Sequence, residues 1–122
     1  MILLNDFYTI VQKDSAPGVL KAKIAINKKH RILEGHFPGL PVVPGVCMLQ
    51  IVREIMEVKT GKELKIIAAD NMKFLSVINP EQNNEVDAVV NFIEESGKFS
   101  INATLFAGTI TFFKLKATLQ TI

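Results

Sequence analysis

Val19-Leu20-Lys21-Ala22-Lys23-Ile24-Ala25-Ile26 alternates roughly between apolar and polar side chains, the period of a strand with one covered face. An apolar-rich stretch, 7–14, precedes it. Asp14-Ser15-Ala16-Pro17-Gly18 lies between them as a strong turn sequence, so the pair predicts a hairpin. Residues 27–43 lose the alternation and hold Lys28, Lys29, His30, Arg31, glycines and prolines; they read as a long loop, of the kind that usually carries function. The period then changes. Proline suits a first helical position, where its missing N–H would be unpaired anyway, so Pro44 opens a helix that runs to about Lys59 and stops at Gly61. The first half of that helix, Val46-Cys47-Met48-Leu49 and Ile51-Val52, is apolar on most sides, which predicts a helix wrapped by other structure. Runs 64–77, 85–95, 98–107 and 109–120 are rich in Val, Ile, Phe and Thr and are separated by Asn79-Pro80, Asn83-Asn84, Ser96-Gly97 and Gly108. They read as four more strands, the last three a meander. The sum is one α+β domain over residues 1–122: about six antiparallel strands curled around a single helix.

Composition narrows the function classes. The chain has 122 residues, 48% hydrophobic and 21% charged, enough to bury a core and too ordered in character for a disordered segment. A net charge of +2 is too weak for a nucleic-acid binder, which would carry a strong basic patch. One cysteine, Cys47, permits no disulfide within the chain. The start, Met1-Ile2-Leu3-Leu4-Asn5-Asp6, lacks the basic start and longer apolar stretch of a signal peptide, and no run approaches the roughly 20 apolar residues that span a bilayer. A cytoplasmic protein without a membrane span is the expectation, and the sequon Asn102-Ala103-Thr104 then has no role.

The chemistry gathers around His36. It follows Gly35 and precedes Phe37-Pro38, and Pro38 and Pro41 stiffen the backbone on both sides. Gly39 and Gly45 allow close approach. A neutral imidazole in a stiff loop can take a proton near pH 7. The N–H groups of Gly45, Val46 and Cys47, at the start of the helix, are free to polarise a carbonyl and stabilise an enolate. The plainer reading is a loop histidine bonded to a nearby carbonyl.

The stretch Gly35-His36-Phe37-Pro38-Gly39-Leu40-Pro41-Val42-Val43-Pro44-Gly45-Val46 resembles the signature of the FabZ/FabA-type 3-hydroxyacyl-[acyl-carrier-protein] dehydratases, Gly-His-Phe-Pro-x-x-Pro, two hydrophobic residues, Pro-Gly and a small residue. The element order suits the hotdog fold of that family. The resemblance implies that His36 removes the C2 proton of a 3-hydroxyacyl thioester, that a carboxylate early on the helix helps the 3-hydroxyl leave as water, and that helix-start amides hold the thioester carbonyl. It further implies an acyl carrier protein or acyl-CoA thioester as the substrate form. The resemblance also implies that histidine and carboxylate come from opposite subunits, so that the active unit is a homodimer or higher homo-oligomer. No metal or cofactor is called for.

Five residues after Gly45, where the resemblance places the carboxylate, stands Gln50. An amide cannot deliver a proton as a carboxylic acid does, though it can hydrogen-bond a hydroxyl or water. Losing a positioned general acid costs about 10²–10⁴-fold in rate. Three readings follow: a dehydratase that tolerates Gln50, a weakened subunit that binds acyl thioesters or pairs with an active partner, and a thioesterase. Gln50 also shares a helix face with Arg53, Glu54 and Glu57, so it can simply begin a polar stripe. Glu34 and Asp70 are substitute acids, each with a solvated carboxylate as the plainer reading. Ile32-Leu33 replaces an aromatic pair usual before Gly-His, and Asn79-Pro80-Glu81 replaces a Pro-Gly-Asp turn. The cluster Lys28-Lys29-His30-Arg31 suits the steering of an acidic carrier protein, and equally a solvated loop. Phe37, Met48, Met72, Phe74 and Leu75 are candidates to line an acyl channel, or are core.

Overall fold

The computed structural model describes residues 2–35 and 41–122. The hairpin forms as β1 (Tyr8–Ala16) and β2 (Val19–Ile26), joined at Gly18, whose φ of 74° only glycine adopts without strain. A short helix, α1 (Ile32–Gly35), interrupts the segment expected to be all loop. The long helix, α2 (Gly45–Thr60), is followed by β3 (Leu64–Phe74), β4 (Glu85–Glu95), β5 (Lys98–Ala107) and β6 (Ile110–Thr121). The strands make one antiparallel sheet in the order β1-β2-β4-β5-β6-β3. β3 ends at Phe74 rather than near residue 77, because the N–H groups of Leu75 and Ser76 both turn to the Phe112 carbonyl.

Alternation builds the covered face. Ile24 pairs with Val86, Ala88 with Leu105, Ala103 with Leu115 and Phe99 with Leu119, and all eight are buried. Cross-strand pairs share a face, so these rows form one continuous apolar floor. Helix α2 lies on it through Cys47, Met48, Ile51, Val52, Ile55 and Met56. The sheet curls around the helix, which is the hotdog arrangement. Pro44 stands one place earlier than the pattern suggested. It is the N-cap, with an extended ψ of 146°, and Gly61 closes the helix with φ 69° and an N–H bond to the Glu57 carbonyl. No helix among the described residues is long and apolar enough to cross a membrane.

The two outer strands, β1 and β3, each bear irregularities: one around Val11, and two in β3 around Ile67 and Asp70. Asp70 is therefore an exposed residue at a bulge on an edge strand, which suits the plainer of its two readings.

Candidate active site

The start of α2 opens onto a groove of about 420 Å³ lined by Val42, Val43, Pro44, Gly45, Met48, Phe74, Leu75, Ser76 and Val77. Val43 N–H donates to the Ile78 carbonyl at 2.9 Å, which fixes the approach of the chain to the helix. The Phe74 ring stacks on Phe113 with centroids 5.0 Å apart and closes over Gly45. A Cβ at position 45 would stand 2.7 Å from that ring, so any larger residue there must push Phe74 aside. Met48, Phe74 and Leu75 are thus the candidate channel residues that meet in one groove. Met72 lies further along β3, exposed, and Phe37 lies outside the described residues.

The helix start offers fewer amides than its sequence suggested. Cys47 N–H donates to the Pro44 carbonyl at 3.0 Å, and Met48 N–H shares that carbonyl at 3.3 Å. The expectation for Cys47 is corrected accordingly: its amide is already bonded within the first turn. Its side chain is buried, and burial followed by the charge of Glu54 pushes the thiol up, away from nucleophilic form. The Gly45 and Val46 amides have no backbone acceptor among the described residues, and they sit at the positive end of the helix dipole. His36 itself lies outside the described residues.

We expect Gly45→Ala to lower turnover of an acyl thioester at least tenfold, with little change in melting temperature. The added methyl group displaces the half-exposed Phe74 ring, which lines the groove. Steady-state kinetics with parallel thermal melts checks this, and Phe74→Leu in the same chain should restore part of the loss.

Gln50 is on another side of the helix. It sits five residues, about 140° around the axis, from Gly45, and is not part of the groove lining. Its amide nitrogen donates to Glu54 Oε2 at 2.7 Å. Glu54 is fully buried and accepts four further bonds, from the N–H groups of Ile2 (3.0 Å), Leu3 (3.0 Å) and Leu4 (2.8 Å) and from the Tyr8 hydroxyl (3.1 Å). Burial alone would push the Glu54 carboxyl up. The hydrogen bonds from Gln50 and from the Leu3, Ile2 and Leu4 amides outweigh it and hold the group below the usual carboxylate range. Glu54 is therefore an ionised acceptor at neutral pH and no proton donor. Burial, then the Glu54 charge and hydrogen bond, pushes the Tyr8 hydroxyl far up, so it stays protonated.

The rest of the stripe is likewise turned inward. Glu57 accepts Leu64 N–H at 2.9 Å and Arg53 Nε donates to the Leu64 carbonyl at 2.8 Å, so both side chains clasp the first residue of β3. The pattern of polar residues was legible in the sequence, but its purpose was not. It fastens two flanking segments onto the helix rather than facing water.

The basic cluster also divides. Lys28, Lys29 and Arg31 are exposed. His30 turns inward: Ile32 N–H donates to its Nδ1 at 3.1 Å, which leaves the ring proton on Nε2 to face Asp6 Oδ2 at 3.0 Å. His30 thus ties the segment before β1 to α1, and it leaves the steering cluster with three cations. Glu34, on α1, is exposed. Among the described residues no three His, Cys, Asp or Glu side chains are grouped to hold a metal.

Comparison with known proteins bears on the family and the fold. The family model described as ApeI-like, ApeI dehydratase, matches residues 12–109. The 3-hydroxyacyl-[acyl-carrier-protein] dehydratase FabZ of Fusobacterium nucleatum is 27% identical over 108 residues, covering 80% of this chain and 77% of that enzyme. The enzyme of the same name from Roseobacter denitrificans is 31% identical over 81 residues, 58% of this chain and 52% of that one, so the match spans about half its length. In structure, a chain of the dehydratase heterocomplex ApeI:P from Xenorhabdus doucetiae superposes with a TM-score of 0.73 at 18% identity, over 91% of this chain and 96% of that one, a likeness of fold.

Proposed function

The chain belongs to the ApeI-like dehydratase family, and from that premise we propose that it removes water from a 3-hydroxyacyl thioester borne by an acyl carrier protein, leaving the trans-2-enoyl thioester. The observation that carries this reading is the groove at the start of α2, apolar along Val42, Val43, Met48, Phe74 and Leu75, whose lining includes Val42, Val43, Pro44 and Gly45 of the motif. In this reading the acyl chain lies in the groove, and the thioester carbonyl takes the Gly45 and Val46 amides. His36 breaks the C2–H bond as base. The electron pair passes through the enolate to form the C2–C3 double bond, and the C3–O bond breaks. The leaving oxygen takes the proton that His36 had removed, so one water departs and the imidazole returns to its neutral form. Gln50 hydrogen-bonds the 3-hydroxyl.

Gln50 and Gly45 lie on different sides of one helix, which supports a site completed by a second protomer. Among the described residues the outer edge of β3 pairs with no further strand, and Ile67, Met72 and Phe74 on it, Leu75 and Val77 just after it, and Val46 at the start of α2 are exposed. A homodimer joined there covers these side chains. Lys28, Lys29 and Arg31 give an acidic carrier protein its approach. The cytoplasm is the proposed compartment.

Hydration of crotonyl and longer enoyl thioesters by the wild type, with His36→Ala as control, tests the reading. Turnover should fall by at least about 10²-fold in His36→Ala. Absence of His36-dependent turnover at every chain length sinks it. Gln50 favours one second reading, a weakened subunit that works beside an active dehydratase. Slow turnover alone, with a large gain on adding another dehydratase protomer, would favour that one.

A further inference from the structure

We propose that Glu54 is a positioning residue that decides which atom Gln50 offers to substrate: the carbonyl oxygen Oε1, an acceptor that selects a 3-hydroxyl over a 3-alkoxy group. The proposal rests on the dehydratase reading above and names the specificity of that same site.

Glu54 is the fixed point. It is fully buried, and all five of its partners are donors: three backbone N–H groups, the Tyr8 hydroxyl and the Gln50 amide. Three of the donors are backbone amides of Ile2, Leu3 and Leu4, which cannot reverse their role. A carboxylate so surrounded stays ionised and only accepts. A glutamine beside it therefore has one admissible orientation, with Nε2 toward Glu54, and the 2.7 Å contact joins those atoms. With one Nε2 hydrogen spent on Glu54, the carbonyl oxygen Oε1 is the acceptor that the amide has left to offer. Gln50 is half-buried, so its side chain is not sealed in the core.

The polarity of Gln50 follows. A 3-hydroxyl has an O–H to give and satisfies Oε1. A 3-alkoxy oxygen carries only lone pairs: it can take the second Nε2 hydrogen, but it leaves Oε1 desolvated without a donor. A site built to bond a hydroxyl rejects the analogue that lacks it. Unlike a carboxylic acid, an amide held this way receives a hydrogen bond from the substrate and delivers no proton to it.

The experiment measures binding in the His36→Ala background, which prevents turnover during the measurement. Calorimetry compares 3-hydroxybutyryl-pantetheine with 3-methoxybutyryl-pantetheine. With Glu54 present, the hydroxy ligand should bind about tenfold tighter, the worth of one hydrogen bond. Glu54→Gln, whose amide can give or accept and so frees Gln50 to turn over, should bring the two ligands to near equality. Tyr8→Phe removes one donor from Glu54 but leaves the carboxylate. It should lower the melting temperature while keeping the preference, which separates positioning from stability. Equal affinity with Glu54 intact, or a preference that survives Glu54→Gln, overturns the proposal and leaves the dehydratase reading standing. Failure of the protein to bind either thioester defeats both together. Should Glu54→Gln not fold, the Gln50 side-chain amide signals in ¹⁵N NMR decide. One proton shifted downfield and unmoved by the hydroxy ligand supports the proposal, and both protons moving on ligand addition overturns it.

Discussion

Glu54→Ala is expected to destabilise the protein by about 3–5 kcal/mol, the cost of removing one side of a buried charged network. The magnitude follows from what is stranded. Three backbone amides, the Tyr8 hydroxyl and the Gln50 amide all lose their acceptor at once. An unsatisfied buried donor costs about 1–3 kcal/mol, and the amides of Ile2 and Leu4, nearer the surface, recover part of it from water. Urea unfolding at neutral pH reads the loss directly. The same carboxylate sets a pH dependence with a definite sign. Its folded-state value is lowered from the ordinary 4.5, so between the two values the unfolded chain binds more protons than the folded one. Its contribution is fully present above about pH 5 and is lost as pH falls through the folded value. The urea midpoint of the wild type should therefore decline below about pH 5, and the decline should be shallower in Glu54→Gln. An equally steep decline in both chains would show that other carboxylates govern acid unfolding.

Gln50→Glu is expected to raise the dehydration rate by about 10²-fold or more, the worth of a positioned general acid. The physical reason lies in the neighbour. A carboxyl group at position 50 would sit where Nε2 now stands, 2.7 Å from Glu54 Oε2. Two carboxylates at that distance cannot both ionise, so the pair keeps one proton near neutral pH. Glu54 retains four other donors to stabilise its charge, and the proton stays with the new group. A neutral carboxylic acid thus appears where an amide stood. The rate should fall on the alkaline side as that acid deprotonates, a limb the wild type lacks. Pre-steady-state and steady-state kinetics on a 3-hydroxyacyl thioester across pH would show it. A wild type that is already fast, and slowed by the change, would mean that the amide itself suits this reaction.

Much of the fold was legible because one sheet face is covered and the other is not. β2 follows its alternation throughout, and β4 and β5 follow theirs as far as Val90 and Leu105, since every second side chain there lies on the floor beneath α2. β3 was overread by three residues at its end. Leu75, Ser76 and Val77 are apolar or small enough to continue a strand pattern, but the backbone bonds that end it come from Phe112, far along the chain. The short helix α1 was invisible because a single turn has too few positions for a period to register. Gly45 and Met48, both singled out in the sequence, line the same groove. The role of Glu54 was not legible, although its spacing of four from Gln50 was in view. Its partners are main-chain N–H groups about fifty positions away, and a backbone amide leaves no mark in a pattern of side chains. The bond of the Cys47 amide is hidden for a related reason, since only the geometry at Pro44 tells which first-turn amides are already taken.

The bulges on the two outer strands have a consequence for how this protein avoids clumping. A sheet with straight, apolar borders invites strand upon strand, without limit, into fibres. Here both borders are kinked, once around Val11 and twice around Ile67 and Asp70, and the second kink on β3 carries a charge outward. A newcomer can match such a contour in few registers. The border therefore tolerates one specific neighbour while discouraging a stack, and straightening it by deleting Asp70 would put solubility at risk before it disturbed the core.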